Sequence, residues 1–132
     1  MKRARILLAD DHPHLLEKVT QLLQLEYEVL GAVNNGQALV SAVEKLKPDV
    51  LVVDVTMPIL NGIEAAEKLR ALGCESKIVF LTVHSDPDYL RACLAAGGLG
   101  YVAKSRMSSD LALAVDRALA ERIFISPTMT GH

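Results

Sequence analysis

Val50-Leu51-Val52-Val53-Asp54 is the stretch whose reading decides the fold. Its apolar run is too short for a helix, rich in β-branched residues and apolar on both faces, as a strand of a parallel sheet covered on both sides would be. Similar short runs recur on either side of it: Ile6-Leu7-Leu8-Ala9, residues 29–33, residues 78–83 and Tyr101-Val102-Ala103. Between them lie stretches whose apolar residues recur at three and four, as in amphipathic helices. The stripes are Leu15, Val19, Leu22 and Leu23; Leu39, Val43 and Leu46; Ile63, Ala65, Ala66, Leu69 and Leu72; Leu90, Cys93 and Leu94; and Leu111, Val115, Ala118 and Leu119. Asp86-Pro87 reads as an N-cap and first-turn pair, and Ser108 or Ser109 with Asp110 reads as the start of the last helix. Asn34-Asn35-Gly36, Lys47-Pro48-Asp49, Asn61-Gly62 and Gly97-Gly98 fall where the chain must turn. Alternation of this kind, with right-handed crossovers, predicts an α/β fold: a doubly wound five-stranded parallel sheet with helices on both faces.

The chain has 132 residues, 51% of them hydrophobic and 23% charged, which suits one globular domain and excludes disorder as the main state. Fourteen Lys and Arg against 16 Asp and Glu leave a net charge of −2. No direct nucleic acid binding is expected of such a chain, because neutralising phosphates takes clustered cations. The basic start is cut off at Asp10 and Asp11 before any signal-peptide core forms, and no run reaches the roughly 20 apolar residues of a membrane span. A cytoplasmic location and no membrane partner are expected. Cys74 and Cys93 match no ligand spacing and read as reduced thiols.

The polar residues carry the chemistry. Asp10 and Asp11 end the first strand, Asp54 the third; Thr82 lies near the end of the fourth and Lys104 follows the fifth. These are the carboxyl ends, which line the ligand crevice of an open α/β sheet. Carboxylates gathered there repel by about 4 kcal/mol per pair at ~4 Å and an effective dielectric of ~20. Either they take up protons or a cation joins them. One ammonium, Lys104, offsets a single charge; magnesium, a hard ion that prefers oxygen and bridges to phosphoryl groups, suits the remainder. On this reading Asp10 and Asp11 hold metal and Asp54 is the nucleophile that becomes an aspartyl phosphate. Lys104 neutralises the transferring group, and Thr82 donates a hydrogen bond to it.

Leu7-Leu8-Ala9-Asp10-Asp11-His12, Val52-Val53-Asp54-Val55-Thr56-Met57-Pro58 with Asn61-Gly62, Thr82 closing a strand, and Tyr101-Val102-Ala103-Lys104 together resemble the response regulator receiver domain of two-component signalling. The likeness covers residues 3–122 and is nearest to receivers fused to a C-terminal helix-turn-helix domain. It implies a flavodoxin-like sheet of strand order 2-1-3-4-5, phosphorylation of Asp54 by a sensor histidine kinase, and magnesium held by Asp11, Asp54 and the Thr56 carbonyl, with Asp10 acting through water. It further implies a switch in which Thr82 moves toward the phosphoryl group and Tyr101 turns inward, reshaping a protein-interaction surface. Thr56 and His84 occupy positions similar to those that tune dephosphorylation in the family. Residues 1–122 are then the receiver, and residues 123–132 a tail or the start of a linker.

Where the chain departs from the family pattern, Val83 replaces a usually small residue and narrows access to the site, and Ser105 replaces the proline that often follows the lysine. His12 and His14 read as surface residues rather than ligands. Ala112, Leu113, Ala114, Ala118 and Ala120 make the last helix unusually apolar, which suggests a protein contact or a homodimer face. The expected output is control of transcription through a domain not contained in these residues, the chain itself being no enzyme beyond promoting its own phosphorylation and dephosphorylation. A stand-alone receiver acting in a phosphorelay or by protein binding is the alternative. A small magnesium-dependent phosphatase is disfavoured because Thr56 stands where an Asp-x-Asp pair needs its second acid.

Overall fold

The computed structural model describes residues 3–83 and 86–127. The elements run β1 (Arg5–Ala9), α1 (Pro13–Leu23), β2 (Glu28–Val33), α2 (Gly36–Leu46), β3 (Val50–Asp54), α3 (Gly62–Ala71), β4 (Lys77–Thr82), α4 (Pro87–Ala95), β5 (Gly100–Ala103), a 3-10 turn (Lys104–Arg106), α5 (Met107–Leu119) and β6 (Phe124–Ile125). The strands are parallel in the order β2-β1-β3-β4-β5-β6. The doubly wound core is as expected, and one short strand extends it. A two-residue strand is below what apolar periodicity can reveal, so the sequence pattern stopped at five.

Period-2 alternation divides the core into two layers. Leu7, Leu51, Val53, Phe80 and Tyr101 pack against α2, α3 and α4, whereas Ile6, Leu8, Val52, Leu81 and Val102 pack against α1 and α5. All five residues of β3 are buried, which is why that run is apolar on both faces until Asp54.

Capping chemistry sets the helix starts. Asn35 accepts from Ala38 N–H, Asn61 and Glu64 form a reciprocal capping box, and Asp86 accepts from Asp88 N–H with Pro87 in the first turn. The start of α5 corrects the expectation: it opens at Met107 after the 3-10 turn, without a side-chain cap, and Asp110 is buried one turn inside. Ala114 and Ala118 are core rather than surface, because α5 lies close on the sheet; Ala112, Leu113 and Ala120 face solvent. Leu46, Leu72 and Leu119, placed on core stripes by spacing, are exposed, since each lies at or just past a helix end.

Candidate functional site

Four strands bring a polar residue to the same rim. Asp54 closes β3, Thr82 closes β4, Asp10 follows β1 and Lys104 follows β5. Asp10 is fixed by its backbone N–H on Val33 O at 3.0 Å, and Val55 N–H on Leu81 O holds the chain just past Asp54. Gly62 seals the far side: a Cβ there would lie 2.2 Å from the Asp54 carbonyl, so only glycine permits this approach of α3 to the β3 terminus.

Lys104 Nζ donates to Asp54 Oδ2 at 3.0 Å and lies 3.3 Å from Asp10 Oδ2. Asp54 Oδ1 accepts from Thr56 N–H at 3.2 Å. Asp10 and Asp54 are each only 2% exposed, whereas Asp11 is exposed. Burial, then the charge of Asp10, raises the Asp54 pKa above the ordinary carboxylate value, and Lys104 and the Thr56 N–H oppose that rise. The buried Asp10 Oδ2 has no hydrogen-bond partner among the described residues, despite the nearby ammonium. Lys104 also pairs with Asp54, so a single ammonium faces two buried carboxylates.

The excess of carboxylates over that one ammonium is what a metal ion would fit. Oxygens from Asp10, Asp11 and Asp54 lie within 4.8 Å of one another, together with a His12 nitrogen. The three carboxylates of that cluster suit a hard, oxygen-preferring divalent ion such as magnesium. The Thr56 carbonyl belongs to the β3–α3 loop, in the same residue whose N–H donates to Asp54.

His12 lies on the surface, as its sequence context suggests, and also reaches the acids. Its ring is 63% exposed, yet Nδ1 lies 2.8 Å from Asp10 Oδ1, 3.2 Å from Asp11 Oδ1 and 3.8 Å from Asp54 Oδ2. Its backbone N–H also donates to Asp10 Oδ1 at 2.8 Å. The signal was its place directly after two acids that end a strand.

Tyr101, expected to turn inward, is already inside at 1% exposure, with its hydroxyl hydrogen-bonded to Thr82. Burial is the main cause that pushes its phenol up to about 12. Burial likewise raises the Cys93 thiol to about 12, so Cys93 is packing rather than nucleophile; Arg91 is engaged by Asp88. Val83, directly after Thr82, is 74% exposed. His84 lies outside the described residues. Lys104 leads into the 3-10 turn, and the described residues contain no cis peptide. No helix among them is long and apolar enough to cross a membrane.

With this rim in view, comparison with known proteins assigns the family. A match to the response regulator receiver domain spans residues 6–116. The chain belongs to that family. The receiver is 36% identical over 128 residues to the uncharacterized transcriptional regulatory protein YvfU of Bacillus subtilis, covering 96% of this chain and 64% of that one. It is 34% identical to the nitrate/nitrite response regulator protein NarL of Escherichia coli, covering 96% and 60%. A solved two-component response regulator of the LuxR family from Aurantimonas superposes with a TM-score of 0.92 at 31% identity, covering 97% of this receiver and 93% of that chain. The receiver thus spans less than two thirds of the length of these curated relatives. Its place in two-component signalling follows from membership of that family.

Proposed function

We propose that the receiver takes a phosphoryl group from a sensor histidine kinase onto Asp54 and converts that event into a changed protein-interaction surface. The output we propose for this change is control of transcription through an output domain, as the regulators YvfU and NarL suggest. The observation that carries the reading is the 3.0 Å contact of Lys104 Nζ with Asp54 Oδ2 beside the crowded carboxylates of Asp10 and Asp11. A nucleophile, its countercharge and an ion cradle meet at one point.

The chemistry follows from those positions. An Asp54 carboxylate oxygen forms a bond to phosphorus as the bond from phosphorus to the donor nitrogen breaks, and the departing imidazole takes up a proton from water. Lys104 remains beside the acquired oxygens and offsets their charge; the Thr82 hydroxyl turns from Tyr101 to a phosphoryl oxygen. When bound by Asp10, Asp11, Asp54 and the Thr56 carbonyl, magnesium supplies further neutralisation of the phosphoryl oxygens. Phosphorylation adds about −1.5 to −2 charge. Shifting the switch from 1:99 to 99:1 takes about 5.5 kcal/mol, which a few charge-assisted hydrogen bonds of about 1.5–3 kcal/mol can supply. Thr56 and His84 set the lifetime of the phosphoryl group; exchanging both should change its rate of loss. The exposed Ala112 and Leu113 on α5 suit a homodimer face.

Incubation with acetyl phosphate and magnesium, followed by intact-mass measurement of the wild type and Asp54→Ala, tests the reading. One added phosphoryl group that disappears in Asp54→Ala is expected. Turnover of many phosphoesters without lasting modification would instead favour a phosphatase.

A further inference from the structure

The short strand β6 ends in an unusual way. Phe124 N–H donates to Leu99 O and Ser126 N–H to Tyr101 O, both at 2.9 Å, as in a parallel ladder. The next rung would run from Ala103 N–H to the Ser126 carbonyl, but the Ser126 hydroxyl takes it, accepting at 3.1 Å. That hydroxyl then donates to Asp110 Oδ2 at 2.7 Å. Asp110 also receives Arg106 Nε at 2.9 Å and Ser109 Oγ at 3.0 Å. Ser126 is fully buried and Asp110 nearly so. One hydroxyl therefore ties together the last residue of β5, the 3-10 turn through Arg106, and α5. Lys104, whose ammonium meets Asp54, is the residue directly after Ala103 and the first of that turn.

Resting on the reading of Asp54 as phosphoacceptor, we propose that Ser126 is a positioning residue for the reaction: its hydroxyl sets the β5 terminus from which Lys104 reaches the site. The coupling runs both ways, because an equilibrium tie between two places is reciprocal. Phosphorylation that draws on Lys104 also tightens the hold on residues 124–126. Phe124 packs on one core layer and Ile125 on the other, so this segment is seated on both sides of the sheet edge. Local packing gives the segment its place; the hydroxyl gives it a connection to the site.

Hydrogen exchange on the wild-type chain, with and without beryllofluoride and magnesium, tests the tie without any risk of misfolding. Slower exchange at Ala103 and Ser126, together with changes around Asp54, is expected. Changes around Asp54 with unaltered Ala103 and Ser126 would overturn the inference and leave the receiver reading standing. No change around Asp54 would overturn that reading, and with it the inference. Kinetics with acetyl phosphate supply a signature beyond stability. Ser126→Ala, melting cooperatively, should lower the phosphorylation rate at saturating donor by about five- to tenfold with little change in KM, and Ser126→Thr should restore much of it. A folded Ser126→Ala protein that reacts at the wild-type rate would contradict the proposal.

Discussion

The two rims of the sheet are built on opposite terms. At the amino ends of the strands, polar groups are satisfied: the Asp49 carboxylate accepts Arg5 N–H at 2.8 Å, and Ser76 Oγ donates to Pro48 O at 2.6 Å. At the carboxyl ends the pattern reverses. Buried carboxylates crowd around a single ammonium, and a β-branched residue, Ile59, takes a left-handed backbone with φ 69°. A left-handed residue also occurs below, at Lys47 with φ 47°, but there it is unbranched and caps α2. The lower rim serves stability, whereas the upper one departs from local optimality at the place where we propose that an ion and a phosphoryl group are received.

Substitutions that act on one rim and spare the other sharpen this contrast. The largest effect is expected from Asp54→Asn, which should abolish phosphoryl uptake from acetyl phosphate while raising the melting temperature without magnesium. The sign follows from linkage. A raised native pKa means that ionising Asp54 destabilises the fold, so this destabilisation grows as pH rises from the ordinary carboxylate pKa through the raised one. The advantage of Asp54→Asn should accordingly vanish below the ordinary carboxylate range, as melts across pH would record. Lys104→Met removes the charged hydrogen bond and should slow uptake about 10- to 100-fold, from about 1.5–3 kcal/mol. Gly62→Ala forces a methyl against the Asp54 carbonyl and should destabilise by about 1–3 kcal/mol in a denaturant melt, with uptake falling too. Ile59→Gly relieves a strained backbone and should stabilise by about 0.5–1 kcal/mol, more than Lys47→Gly does. Leu72→Gln, on the exposed lower rim, should stay within about 0.5 kcal/mol and leave uptake unchanged.

The sheet was legible because Val50 to Val53, buried on both faces, leaves a pattern that only a central parallel strand produces. The rim was legible because strand ends are marked by an abrupt change from apolar to charged residues, as at Asp10 and Asp54. What escaped lies where a contact depends on distant chain. The helix-start reading of Ser109-Asp110 was reasonable locally, but Asp110 is buried as partner of Ser126, 16 residues further on. Nothing in the two residues Phe124 and Ile125 announces a strand until β5 offers its edge. The ring of His12 is solvent-exposed as expected, and its lean over the acids is a contact that exposure alone does not reveal.

The central claim is that the upper rim is incomplete until a divalent cation joins its carboxylates. Magnesium titration followed by amide NMR tests it most directly. The account predicts saturable shifts concentrated at residues 10–12, 54–57 and 104, with a raised melting temperature that Asp54→Asn lacks. Spectra that stay unchanged through the titration, with an unmoved melt, would contradict it.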